Sequence, residues 1–392
     1  MRGVQVCHFW REGRCTRGVD CKFSHSDESN DGSSASSELT YLTQRTRSLN
    51  STPARLTRNT GSIITTIKRV SLDNLPLRAD APITITGFQF AASYNLVWTK
   101  SLSIMVPGCP PIWSPPPMPI KLKADNHKTL IGRAQYQTQV SMAPVLAALS
   151  VSITDTSTLP SIDLITDRNS LRKLLDFVNG KVGQTWKIDV ELVRNTMIFA
   201  KNAEGISRHK SDGYGFPFEA AFLKYPEELK GTSEHHRIAT YDIGGMKWMV
   251  RFEADGCYDA QSTEGLSQSP GTPGTLRSSS EIEEATYKNI KIHKTATAIS
   301  TLPILEVKTA KLNRSPKRSQ WMPQLYFSQT NHLIIANHDD GIFDHANIKE
   351  SDQTENMRQW EQENQGMLQK LLHLIDEKMI TQLWGSPAMP MP

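Results

Sequence analysis

Apolar positions along this chain recur with two periods, and the two predict different elements. Leu171, Leu174, Leu175 and Val178 fall at helical spacing within LRKLLDFV (171–178). Phe216 to Tyr225 also suits a helix with Pro217 in its first turn, and Gln320 to Thr330 suits another around Pro323. Alternating segments predict strands at 82–97, 186–192, 195–201, 237–241, 246–253 and 302–309, with Gly244-Gly245 turning one strand into the next. HLIIAN (332–337) reads as a buried strand. From 352 to 384, Met357, Trp360, Met367, Leu368, Leu371, Leu372, Leu374 and Ile375 recur at helical spacing, which predicts one amphipathic helix docked on the core. The expected class is α+β, a mixed sheet flanked by helices.

Between Asp27 and Asn59 the pattern fades into Ser, Thr, Asn and Asp, which predicts a disordered linker. A second polar stretch, Ser/Gly/Pro/Thr-rich over 262–280, reads as an insertion looped out of the sheet. PGCPPIWSPPPMP (107–119) is a proline-rich connection. The organisation expected is a small N-terminal module over 1–26, a linker over 27–60, a main domain over 61–350 interrupted at about 262–283, and a C-terminal helix over 351–385.

Composition adds little until the cysteines are placed. Of 392 residues, 38% are apolar and 21% charged, consistent with a folded core diluted by polar stretches. A net charge of +4 does not by itself announce a nucleic-acid ligand. No apolar run reaches the roughly 18 residues of a membrane span, and Met1-Arg2-Gly3 leads into no signal-like apolar segment. An intracellular, reducing compartment and no membrane partner are expected. Three of the five cysteines cluster near the N-terminus, while Cys109 and Cys257 stand far apart. An odd count with one tight cluster favours metal over a disulfide framework.

That cluster is Cys7-x7-Cys15-x5-Cys21-x3-His25: three thiolates and one imidazole, a tetrahedral set for structural Zn²⁺. So short a segment needs the metal for its folding energy. Phe9, Trp10 and Phe23 are more aromatic surface than it can bury, and Arg11, Arg14, Arg17 and Lys22 surround them. Rings that stack on bases beside cations that hold phosphates are how single strands are bound. The segment resembles the CCCH zinc-finger family, which implies RNA as its partner; a protein-docking finger is the bland alternative.

A second set of residues is dispersed. Glu253-Ala254-Asp255 ends one strand and Glu306-Val307-Lys308 lies on the next strand after the insertion. Residues two apart on a strand share a face, so on adjacent strands three carboxylates and an amine would meet. Glu219, on the preceding helix, adds a fourth carboxylate. Clustered carboxylates suit Mg²⁺ or Mn²⁺, which would activate a water with Lys308 orienting or deprotonating it. Either short motif alone is common on solvated strands; their order is less so.

That order, helix-Glu, strand E-x-D, strand E-x-K, helix-Gln, resembles the PD-(D/E)xK nuclease arrangement, and more narrowly the decapping exoribonuclease family. The likeness runs through DLITDRNSLRKLL (163–175), GYGFPFE (213–219), VRFEADG (250–256), LEVKT (305–309) and WMPQLYF (321–327), over roughly 160–340. It implies removal of non-standard RNA 5′ caps and 5′-end digestion. Glu219, Glu253, Asp255, Glu306, Lys308 and Gln324 would be catalytic. Of these, Glu219, Asp255 and Glu306 would hold Mg²⁺ or Mn²⁺, with Glu253 acting through water. Arg168 would approach the RNA 5′ end. The family has Trp-Arg-Gly where this chain has Asp167-Arg168-Asn169. The resemblance also favours the nucleus.

Other residues carry plainer readings. His235-His236 reads as a surface turn, Cys257 as a buried thiol at a strand end, and Trp248 and Trp321 as core. RSPKRS (314–319) is a basic loop equally suited to an RNA backbone or to solvent. The C-terminal helix is a candidate face for a protein partner. Two readings compete with the RNA hydrolase: a catalytically inactive RNA-binding or scaffold protein of the same fold, and a DNA nuclease of the same superfamily, against which the finger argues.

Overall fold

The chain divides into two compact units, 1–60 and 61–392. The computed structural model describes residues 82–97, 102–125, 142–153, 162–181, 186–201, 213–229, 231–259, 283–287, 289–295 and 302–376, all in the second unit. The finger, the linker over 27–60 and the insertion at 262–280 lie outside the described residues.

Two mixed sheets and six helices make up the described architecture. The first sheet has nine strands. Its middle is β1 (Ile85–Val97), β9 (Thr232–Ile243) and β10 (Met246–Ala254), paired antiparallel. Parallel to β10 runs β5 (Leu164–Asp167), followed by the hairpin of β7 (Thr196–Lys201) and β6 (Ile188–Val193). Beyond β1 come β2 (Ser103–Val106), β13 (Ile290–Lys294) and β12 (Glu283–Tyr287). The last two follow the insertion directly and lie outside the strands expected from sequence, although Ile290 and Ile292 alternate with Lys291 and His293 as strand residues do.

The second sheet has seven strands, in the order β4 (Ile120–Lys121), β16 (Ile342–Asp352), β15 (His332–Asp339), β14 (Ile304–Lys311), β11 (Gly256–Cys257), β3 (Ile112–Trp113) and β8 (Leu223–Lys224). The proline-rich connection thus supplies β3 to a sheet as well as linking elements. Sequence brings Glu253 and Glu306 together only if their strands are neighbours, and these strands do not pair. They belong to different sheets, and the chain passes from β10 to β11 through one residue, Asp255.

Helix α1 (Ala143–Ser152) covers one face of the first sheet, where Val145, Ala147 and Ala148 meet Tyr94, Ile238 and Met249. The other face carries the largest core. There α2 (Arg168–Val178) inserts Leu171, Leu174, Leu175 and Val178, the residues its periodicity marked, against Leu164, Trp248 and Val250. Burying each such side chain contributes roughly 1.5–3 kcal/mol. Helix α3 (Gly215–Phe222) packs Phe218 and Phe222 on Leu305, Val307 and Ile334 of the second sheet. Helix α4 (Arg318–Ser328) begins two residues before the expected Gln320 and holds Pro323 in its interior.

The C-terminal segment forms two helices, α5 (Thr354–Glu363) and α6 (Gln365–His373), broken at Asn364. Their apolar residues Met357, Trp360, Leu368, Leu371 and Leu372 join the main core. The face considered for a protein partner is therefore covered by the protein's own fold. Gly244 and Gly245 make the β9–β10 turn with φ of +57° and +82°, the double positive φ of a tight hairpin that glycine adopts without strain. A Cβ at Gly244 would also strike Leu372.

His235 and His236 do not lie in a surface turn. Both are buried inside β9. Each has a polar partner there: His235 Nδ1 lies 2.7 Å from Asn95 Oδ1 on β1, and His236 Nε2 lies 3.4 Å from Glu234 Oε2. Burial, then the charges of Arg237 and His236, push the His235 pKa well below 6.5, so its ring is neutral at pH 7. Cys257 is fully buried as expected, and its thiol shares the Pro110 carbonyl with Cys109, at 3.7 and 3.5 Å.

Candidate active site

Glu306 is the centre of the site. On β14 it alternates with Leu305 and Val307, which face α3, so its side chain lies on the opposite face, towards α2 and α4. Its side chain is 3% exposed. Arg168, the first residue of α2, donates from Nη1 to Glu306 Oε2 at 2.9 Å and approaches Ser328 Oγ at 3.4 Å. Lys308 donates from Nζ to Glu306 Oε1. Gln324 of α4, with its amide assigned to satisfy both neighbours, donates to Glu306 Oε1 and accepts from Arg172 at 3.0 and 3.2 Å. Arg172 stands one helical turn after Arg168.

These contacts fix the charges. Burial disfavours the Glu306 carboxylate, but Arg168 and Lys308 outweigh it and bring the pKa down to about 2. Burial equally opposes the charge on Lys308, yet Glu306 and Asp255 hold its pKa above the ordinary value. The amine is therefore cationic at neutral pH. In this arrangement it can orient a ligand. Arg168 is likewise held charged by Glu306, Asp255 and Glu253 against the cost of burial.

Asp255 behaves oppositely. Its Oδ2 accepts the Val307 N–H at 2.7 Å, filling the place where β14 loses a strand neighbour as the two sheets part. Burial first, then the Glu306 charge, push its pKa up to about 6, against the lowering effects of Lys308, the Val307 N–H and Arg168. Two carboxylates thus compete within one buried site.

The structure therefore brings Arg168, Asp255, Glu306, Lys308 and Gln324 together, with Glu253 close enough to act on the Arg168 charge. Glu219 is different. Its helix packs on the far face of β14 from Glu306, and among the described residues no three Asp, Glu, His or Cys side chains converge as a metal-binding group. The expected Glu219–Asp255–Glu306 set is not assembled, since β14 separates α3 from Glu306. Arg168, expected at the RNA 5′ end, is engaged by Glu306 in this arrangement. Asp167, the acidic departure beside it, is turned inward: its Oδ1 caps α2 through the Ser170 N–H at 2.8 Å, and its Oδ2 lies 3.9 Å from Arg251.

Sequence reasoning missed Arg172 and Ser328. For Arg172 a signal existed, since residues four apart on a helix share a face with Arg168. Ser328 gave none. Phe9, Trp10, Arg11, Lys22 and Phe23, with the zinc ligands Cys7, Cys15, Cys21 and His25, lie outside the described residues.

The donor set bears on a divalent cation. Carboxylate oxygens suit Mg²⁺, Mn²⁺ or Ca²⁺, and a cation would offset both the burial of the Asp255 carboxylate, the larger cause of its raised pKa, and the nearby Glu306 charge. Mg²⁺ commonly takes one or two carboxylates and completes its shell with waters and substrate phosphates. Asp255 and Glu306 fit a cation held jointly with a ligand, not a closed protein cage.

This fold is known. S. pombe Rai1 superposes with a TM-score of 0.50 at 14% identity, over 81% of this chain and 92% of that one. Scheffersomyces stipitis Rai1, crystallised with (3′-NADP)⁺ and a calcium ion, superposes with a TM-score of 0.50 at 13% identity, over 78% and 86%. At such identities the likeness establishes the fold alone, and it is the fold of Rai1. Residues 3–27 match the zinc finger family described as C-x8-C-x5-C-x3-H type and similar, so the N-terminal module is a CCCH zinc finger. Residues 72–382 match the family described as a domain of unknown function (DUF8563), and the chain belongs to that family. No curated protein matches the chain by sequence.

Proposed function

We propose that this protein is an RNA 5′-end hydrolase, of the decapping or 5′-exonucleolytic kind, that works with a divalent cation and recruits RNA through its zinc finger. The observation that carries this reading is the ionised Glu306, held by Arg168, Lys308 and Gln324 beside Asp255 at the point where the two sheets part. The fold shared with Rai1, and the calcium ion in the S. stipitis Rai1 crystal, agree with it.

Within this reading Asp255 and Glu306 hold the cation, with Glu253 as an outer carboxylate. When bound, the cation would polarise a phosphoryl oxygen and acidify a water. The protein's own groups do the positioning. Arg168 presents a guanidinium that exchanges part of its Glu306 contact for a phosphate oxygen, and such charge-assisted bonds are directional. Lys308 supplies a second fixed cation on the same strand as Glu306. Gln324 orients Glu306 and, through its carbonyl, Arg172. Residues 1–26 form the finger, with Zn²⁺ on Cys7, Cys15, Cys21 and His25, and the nucleus is the compartment that suits this role.

The test is purified protein against 5′-monophosphate, 5′-triphosphate and capped RNAs with Mg²⁺ or Mn²⁺, beside a Glu306→Ala/Lys308→Ala variant. Turnover that vanishes in the variant supports the reading, and the preferred end names the substrate. A second reading, a non-catalytic RNA-binding protein, draws on the pairing of Glu306 with two cations already in place. RNA binding without turnover in either ion would favour it.

A further inference from the structure

Beside the candidate site, between α2 and the start of α4, lies an open cleft of about 350 Å³. Its charged lining is Arg172, Lys181 and Lys317 against one carboxylate, Asp176, and Ser319 and Gln320 complete the polar wall. Asp176 pairs with Lys181 at 3.0 Å, with both side chains about half exposed, so screening leaves that pair weak. Arg172 and Lys317 remain as excess positive charge. Arg318, which shares the basic segment, points elsewhere: it pairs with Glu363 at 3.6 Å and donates to the Asn356 carbonyl. The basic run over 314–319 is thus sorted by the fold, with Lys317 at the cleft and Arg318 tied to α5.

The cleft is continuous with the candidate site through one residue. Arg172 lines it, and the same guanidinium donates to the Gln324 carbonyl while Gln324 donates to Glu306. Arg168 and Arg172 lie four residues apart on α2, about 6 Å along the axis. Two guanidiniums at that spacing repel, and after burial the Arg168 charge is the main influence lowering the Arg172 pKa. An anion between α2 and α4 would relieve this repulsion. The volume also selects the ligand. Liquid water takes about 30 Å³ per molecule, so the cleft has room for a phosphate together with its sugar.

We propose that this cleft holds a backbone phosphodiester of the RNA strand whose 5′ end lies against Arg168 and Glu306. The inference rests on the 5′-end reading and adds a direction to it: the strand leaves the site along α2, past Arg172, towards Lys317 and Lys181.

The experiment uses the full-length protein and 5′-phosphorylated single-stranded RNAs of two and eight nucleotides, without added divalent cation so that no strand is cut. Affinity is followed by fluorescence anisotropy over a salt series. A Lys181→Ala/Lys317→Ala variant is compared with Lys291→Ala/Lys349→Ala, which removes the same charge from exposed strand positions. The cleft variant should bind the eight-nucleotide RNA about tenfold more weakly, with a log–log salt slope shallower by ~0.7 per phosphate that the cleft no longer neutralises. The dinucleotide, too short to reach, should bind as to wild type. Equal weakening in the two variants would overturn the cleft assignment and leave the 5′-end reading standing. Wild-type protein that binds neither RNA would overturn both. Should circular dichroism show the double variant misfolded, Lys317→Gln alone carries the same comparison.

Discussion

Arg168 and Glu306 meet at 2.9 Å across 138 residues of sequence, the first at the head of a helix and the second in the middle of a strand. Neither side chain is more than 12% exposed. A charge pair so removed from water is costly to break from one side, because the remaining partner keeps its burial without its counter-charge.

A double-mutant cycle should reveal this. Glu306→Gln alone leaves Arg168 and Lys308 facing each other and should destabilise the protein by roughly 3–5 kcal/mol. Arg168→Met with Glu306→Gln should cost less than the two single changes summed, with a coupling of about 1–3 kcal/mol in urea unfolding. Strict additivity would show that the pair exerts no influence on the fold. Under the proposed function, Arg168→Met should also lower turnover while the finger still binds RNA.

Much of this site was legible in sequence, for local reasons. Helix α2 announces itself through four apolar residues at helical spacing, and the shared face of Glu306 and Lys308 follows from the period of a strand. What was hidden depends on distant partners. His235 and His236 look like a polar turn, yet Asn95, 140 residues away, gives His235 Nδ1 a partner inside a strand. Cys109 and Cys257 are far apart in sequence and converge on one carbonyl. Strands β12 and β13 follow a polar stretch and are short, with only Ile290 and Ile292 alternating in β13, which pairs with the open edge of β2. Asp255 was recognisable as acidic and near a strand end. That it bridges two sheets was not, because nothing local distinguishes a strand that continues from one that changes sheets.

The C-terminal helices should prove part of the domain core. Trp360 is 6% exposed, and its ring centroid lies 4.9 Å from that of Tyr326, whose hydroxyl donates to Glu361 at 2.8 Å. Trp360→Ala should cost about 3–5 kcal/mol, read as a lower urea midpoint. A change below about 1 kcal/mol, small against that cavity cost, would mean that α5 is a loosely attached appendage.

The finger and the core should separate by metal. A zinc-selective chelator, or Cys15→Ser, should unfold only the first module, because its ligands supply its folding energy. Affinity for long single-stranded RNA should fall, while turnover of short 5′-phosphorylated RNA in Mg²⁺ persists. If turnover of short RNA disappears with the zinc, the finger contributes to the reaction itself.

The two carboxylates predict opposite pH dependences. Glu306 is depressed from 4.5 to about 2, so its stabilising contribution is complete above 4.5 and is lost as pH falls towards 2. Asp255 is raised from 3.8 to about 6, so its contribution is complete below 3.8 and is lost as pH rises through 6. The site is therefore most stabilising near pH 4 and carries an unrelieved repulsion at pH 7. A divalent cation binds the ionised carboxylates and should remove that repulsion where it exists. Mg²⁺ or Mn²⁺ should raise the thermal midpoint, followed by tryptophan fluorescence, at pH 7 and much less at pH 4.5. Asp255→Asn should abolish both the loss of stability between pH 4 and 6 and the response to the cation. A cation effect of equal size at the two pH values, or one that survives Asp255→Asn, would place the ion somewhere other than between Asp255 and Glu306.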